Sequence, residues 1–257
     1  MYMPLVAVLI ARIPLKGMGW IPRLKGKVGW IFFSAWMPAL LAFLGALLYF
    51  VIFPGHFDSG LETLRLTAGE EALALMEAQG ITLEKYLLIT TIASLTYAPF
   101  FNILTAIGEE TGWRGALYPY LKKRFGRNRG RIIGGLIWGA WHWPVMLLAG
   151  YEYGTDYFGA PILGLLVFCC VTVFMGIMHD YVYEKTGTIW MPALYHGATN
   201  TWTVYMYLTK PEYTNYTILG PAIVGLISVI PMAVLAIFLS TRKAKETEAI
   251  HTEEEIV

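Results

Sequence analysis

Residues 86–115 read YLLITTIASLTYAPFFNILTAIGEETGWRG. No charge interrupts positions 86–107, and then Glu109 and Glu110 stand side by side. An apolar run of about 20 residues is long enough for a membrane helix. Two carboxylates at its end are costly there, because a charge at membrane depth loses its water. Arg114 lies four residues after Glu110, the spacing that puts an ion pair on one helix face. Glu109 points about 100° away from Glu110 and is left to face something else.

The composition sets the class. Of the 257 residues, 56% are hydrophobic and 14% charged, against about 25% charged in a soluble domain. Apolar runs over 28–53, 85–107, 132–149, 160–183, 189–208 and 217–240 predict an all-α, polytopic transmembrane bundle with six full or near-full crossings. Residues 1–13 are apolar but too short to span, and lack the basic start and cleavage site of a signal peptide. The net charge of +1 offers no field for nucleic acid. Cys169 and Cys170 are adjacent and read as packing residues.

Charge distribution orients the bundle. Lys122, Lys123, Arg124, Arg127, Arg129 and Arg131 form a cluster without an acid. Placed in the cytoplasm by the positive-inside rule, it carries the basic connector (Lys16, Arg23, Lys25, Lys27) and Arg242, Lys243 and Lys245 to the same side. The acidic stretch 54–84 then lies outside. Thr67, with Glu70 three residues on, predicts a capped amphipathic helix over 67–79. The expected organisation is a short apolar segment and basic connector (1–27), a transmembrane domain (28–241) with core motifs at 83–208, and a charged cytoplasmic tail (242–257).

Polar residues recur at one depth. Glu109 and Glu110, His142, and His196 with Asn200 fall about 13–20 Å in from the cytoplasmic ends of three separate helices, at about 1.5 Å per residue. A shared, hydrated cavity open to the cytoplasmic side accounts for that coincidence. His196 and Asn200 share a helix face. Trp138 is placed to pack beside His142. A carboxylate and an imidazole on one water can act as general base and supporter. A second imidazole and an amide can donate to an oxyanion. Glu109, His142 and His196 also form a ligand set that permits Zn²⁺ without requiring it. His179 and Asp180, near the end of their span, read as groups served by interface solvation. His-Glu-x-x-His and Gly-x-Ser-x-Gly patterns are absent.

Glu109-Glu110-x-x-x-Arg114, Trp138-x-x-x-His142 and His196-x-x-x-Asn200 together resemble the motifs of the CAAX-protease and bacteriocin-processing (CPBP) family of intramembrane proteases, which includes the CAAX prenyl endopeptidases. Trp138 stands where that family often has Phe. The resemblance runs from about residue 83 to 208. The family pattern also holds a further full N-terminal span, so a shorter or truncated form is expected.

The resemblance implies a multi-pass membrane protein with its active site facing the cytoplasm, cleaving membrane-associated peptides, some of them lipid-modified. It implies that Glu109 and His142 activate water, that His196 and Asn200 stabilise the oxyanion, and that Glu110 and Arg114 support them. Two other classes stand beside it. One is a non-catalytic binding or bacteriocin-immunity protein on the same scaffold. The other is a proton-coupled transporter, against which the chain has no inverted repeat. Substrate identity and oligomeric state are not legible in the sequence.

Overall fold

The computed structural model describes residues 1–22, 25–202 and 204–241. Arg23 and the charged tail 242–257 lie outside the described residues. The helices, in chain order, are α1 (Met3–Ile10), α2 (Val28–Ile52), α3 (Glu62–Ala78), α4 (Leu83–Leu95), α5 (Ala98–Glu110), α6 (Tyr118–Phe125), α7 (Arg127–Trp141), α8 (Trp143–Ala149), α9 (Ile162–Thr186), α10 (Trp190–Thr199) and α11 (Ile230–Thr241). A π-type stretch, Thr111–Leu117, joins α5 to α6 without a break. No strand occurs among the described residues.

By length and composition three helical stretches can cross a membrane: Val28–Ile52, Arg127–Ala149 and Ile162–Thr186. A fourth crossing exists if Leu83–Leu95 and Ala98–Phe125, bent by 60°, count as one span. That is fewer than the six the hydropathy predicts, and the reasons are local. Pro99 sits in the first turn of α5 and has no N–H to continue α4, so the expected 85–107 helix breaks at 96–97. The 189–208 run is α-helical only over Trp190–Thr199 and leaves the helix at Asn200. The 217–240 run holds Gly220, Pro221 and Gly225 and becomes helical only at Ile230. Pro38, in contrast, is accommodated inside a continuous α2.

The core is built on α9, which packs against α7, α10 and α11. Glycines allow its closest approach. A Cβ on Gly135 would collide with Val173, and one on Gly139 would lie 2.8 Å from the Cα of Cys169. Small residues four apart let two helix backbones touch, as in membrane helix pairs. At one end of this pair the basic cluster meets its acids. Asp180, fully buried, accepts from Arg131 Nε at 2.6 Å and Lys122 Nζ at 2.7 Å. Glu184 takes Arg127 and Arg131 at 2.9 Å and Lys122 at 3.0 Å. Asp180 therefore does more than meet interface water: it binds α6 and α7 to α9.

Outside the core, α3 begins at Glu62 rather than near Thr67. Asp58 accepts the N–H groups of Gly60 (2.9 Å) and Glu62 (2.6 Å), satisfying the helix start. Thr67 instead donates to Thr63 O at 2.7 Å, and Gly69 (φ 76°) interrupts the helix, so the expected capping box is not made. The link after α2 docks on residues 208–213. The Asp58 N–H donates to Leu208 O at 2.8 Å and the Lys210 N–H to His56 O at 2.9 Å. The His56 ring stacks between Phe53 (4.9 Å) and Tyr213 (4.0 Å).

Two outcomes follow from this packing. Asp180→Ala strips the buried Arg131 Nε of its carboxylate, leaving Glu184 on Nη2, and is expected to lower unfolding stability in detergent by roughly 3 kcal/mol, whereas a joint apolar replacement of Arg131 and Asp180 loses less. For His56, burial and secondarily the Lys210 ammonium push the pKa below the ordinary histidine value. Its contribution to stability is therefore full above the ordinary value, about 6.5, and is lost as pH falls through the depressed one. Melting curves between about pH 7 and pH 5 are expected to show a decline that is smaller in His56→Phe.

Candidate active site

The site forms where α5 runs into the π-type stretch. Such wide turns rotate the following residues relative to an α-helix and recur at functional positions. Glu109 and Glu110 are the last two residues of α5 and are 2% and 0% exposed. The expected Glu110–Arg114 pair forms, while Glu109 meets two indoles. Glu110 Oε1 accepts from Arg114 Nη1 at 2.9 Å, with both side chains fully buried. The same oxygen faces His196 Nδ1 from α10 at 2.7 Å. Glu109 Oε2 accepts two indole N–H groups, from Trp113 at 3.1 Å and Trp138 at 2.9 Å. Its Oε1 lies 3.9 Å from the Met1 amine.

Trp138 joins the parts. Its ring covers the Arg114 guanidinium at 4.5 Å and packs edge-on against His179 and His196, each at 5.4 Å. Its carbonyl accepts from His142 Nδ1 at 2.8 Å, which sets the neutral tautomer with Nε2 free. His142 is half-buried at the junction of α7 and α8. The expected Trp138–His142 contact is thus present, at 6.3 Å between rings, but the stronger tie runs through the backbone. Asn200 ends α10 with an exposed side chain, and the structure does not bring it into this hydrogen-bonded cluster.

Two residues were missed. Trp113 stands four after Glu109, the same spacing as Glu110 and Arg114, and that signal was available. His179 read as an interface group, yet it is fully buried, with Nδ1 on Met175 O at 2.6 Å and its ring 5.3 Å from that of His196. Its relevance depends on α9 packing against α10, which no local pattern encodes.

The metal-like grouping differs from the expected Glu109, His142 and His196. Among the described residues, ligand atoms of Glu110, His179 and His196 lie within 4.8 Å of one another. A divalent ion does not fit this set. The single carboxylate already carries Arg114 and His196 on one oxygen, and a second cation would face the guanidinium in a buried, poorly screened place. The unpartnered atoms nearby mix donors and acceptors (Arg114 Nε and Nη2, His179 Nε2, Glu110 Oε2, the Tyr118 and Tyr195 hydroxyls), a pattern water satisfies better than a cation.

The two carboxylates should separate by mutation. Glu110→Gln leaves Arg114 buried without its charge partner and is expected to lower stability by roughly 3–5 kcal/mol. Glu109→Gln keeps an acceptor for both indoles and is expected to stay within about 1 kcal/mol of wild type. Thermal unfolding in detergent distinguishes them.

Residues 90–202 match the family model described as "Type II CAAX prenyl endopeptidase Rce1-like". A curated relative, CAAX prenyl protease 2 of Methanococcus maripaludis, is 28% identical over 102 residues, covering 39% of this chain and 37% of that protein. The match thus spans little more than a third of the relative's length. No solved structure matches the chain. The matched region contains Glu109, Glu110, Arg114, Trp138, His142, His196 and Asn200, and over that region the chain is similar to type II CAAX prenyl endopeptidases.

Proposed function

We propose that the protein is an intramembrane endopeptidase that hydrolyses a peptide bond in a membrane-associated substrate, with CAAX-like, lipid-bearing C-terminal peptides as the leading class. One observation carries this reading: Trp138 holds both groups suited to activate water. Its indole orients the Glu109 carboxylate and its carbonyl fixes the His142 tautomer.

The chemistry proceeds from those two contacts. Two indole N–H donors stabilise Glu109 Oε2 as a carboxylate oxygen, leaving Oε1 to take a proton from water. The water oxygen attacks the scissile carbonyl carbon, and the carbonyl electron pair moves to oxygen. His142 Nε2 accepts a hydrogen bond from the same water. His196, with Glu110 against Nδ1, can carry a second proton at Nε2 and donate to the oxyanion. Asn200, one turn on, is the second donor, and reaches the oxyanion only with substrate in place. Collapse breaks the C–N bond, and the proton held by Glu109 passes to the leaving amine. No step requires a metal. The site opens toward the cytoplasmic leaflet, as the grouping of basic residues supports. The lipid tail would lie along apolar helix faces in the plane of the membrane.

In proteoliposomes with a fluorogenic farnesylated peptide, Glu109→Ala and His142→Ala are each expected to lose at least about 100-fold in cleavage while inserting and folding normally. Undiminished cleavage by both variants overturns the reading.

A further inference from the structure

Residues 150–154, the loop leaving α8, pass through three left-handed backbone conformations: Gly150 (φ 63°), Glu152 (φ 70°) and Gly154 (φ 77°). Glycine enters that region freely. Glu152 does not, and a non-glycine residue held there costs about 1–3 kcal/mol. The Tyr153 N–H donates to Tyr151 O at 3.0 Å. Glu152 is thus the central residue of a γ-turn with positive φ, the rare and strained hand.

The surrounding bonds hold that turn in place. The Gly150 N–H donates to Met146 O at 3.1 Å and the Gly154 N–H to Gly150 O at 2.8 Å. Tyr153 is buried, its hydroxyl donating to Val224 O at 2.8 Å and its carbonyl accepting from Thr217 Oγ1 at 3.2 Å. With Tyr153 anchored in the core, the turn directs Tyr151 the other way. Its ring lies over the His142 imidazole, centroids 5.6 Å apart and planes within 13°. Phe168 of α9 closes on the same imidazole edge-on at 5.2 Å.

A single hydrogen bond, from Nδ1 to Trp138 O, fixes one point of the imidazole and leaves rotation about that bond. A stacked ring removes the rotation. We propose that Tyr151, placed by the γ-turn at Glu152, is a positioning residue that holds the His142 imidazole plane so that Nε2 stays directed at the water beside Glu109. This rests on the hydrolytic reading above. The proposed contribution is the ring face and the backbone turn at Glu152; the Tyr151 hydroxyl and the Glu152 carboxylate also interact, and Tyr151→Phe separates the ring's share from theirs.

Four variants test it with two readouts, peptide cleavage and the rate at which diethyl pyrocarbonate modifies His142, followed by peptide mass spectrometry. Tyr151→Ala is expected to lower kcat about tenfold with KM little changed, since misplacement of a reacting group acts on the chemical step. It is also expected to speed His142 modification severalfold. Tyr151→Phe should match wild type in both. Glu152→Val, which disfavours the left-handed turn, should reproduce Tyr151→Ala, and Glu152→Gly, which permits it, should not. Wild-type behaviour of Tyr151→Ala in both readouts overturns the proposal, as does a loss in Tyr151→Phe equal to that in Tyr151→Ala. If the wild-type protein cleaves no peptide, the modification rates decide alone. A response at His142 then supports the positioning while the hydrolytic reading falls, and no response overturns both.

Discussion

The site depends on a carboxylate withdrawn from bulk solvent. Glu110 is fully buried and stays compatible with the interior because a guanidinium from its own helix and an imidazole from α10 meet on one oxygen. Removing either partner would leave charge stranded in a low-dielectric place, so the three elements that supply them are bound to one geometry. Glu109 inherits its position from this arrangement. Being adjacent, it must project from the other side of the helix, toward the indoles of Trp113 and Trp138. The acid facing the indoles is placed by the acid that carries the guanidinium.

A second ionic assembly ties α6, α7 and α9 together beside it. Lys122, Arg127 and Arg131 converge on Asp180 and Glu184, so α9 is tied to α6 and α7 by charge where its glycine-lined contact with α7 ends. Helix α9 thus contributes an ionic anchor, a close-packed middle around Thr172, and a fully buried histidine, within 25 residues. The basic residues that set the expected orientation also hold the bundle together.

The sequence disclosed the local side-chain pairing better than the continuity of the spans. The Glu110–Arg114 pair and its separation from Glu109 followed from i,i+4 spacing alone, and the helical membrane class followed from hydropathy. Span continuity did not. Pro99, Gly220 and Pro221 break runs that hydropathy averages over, because a window counts apolar content and ignores which N–H groups are missing. The roles of His179 and Asp180 were hidden for a different reason. Both depend on partners 17 to 69 positions away, brought close only when α9 packs. The pairing of His196 with Glu110 rather than Glu109 was likewise set by helix rotation, which sequence spacing within α10 cannot report.

The double use of Trp138 has a mechanical consequence. Its indole N–H and its carbonyl belong to one residue on α7, and they hold Glu109 and His142 respectively. When a lipid bilayer thins, thickens or shears the bundle, α7 can slide by a fraction of an ångström against its neighbours. The Glu109 carboxylate and the His142 imidazole are held to the same residue, so the gap between them changes less than the slide itself. A hydrolytic centre assembled from several helices in a fluid medium would keep its internal ruler while the walls around it breathe.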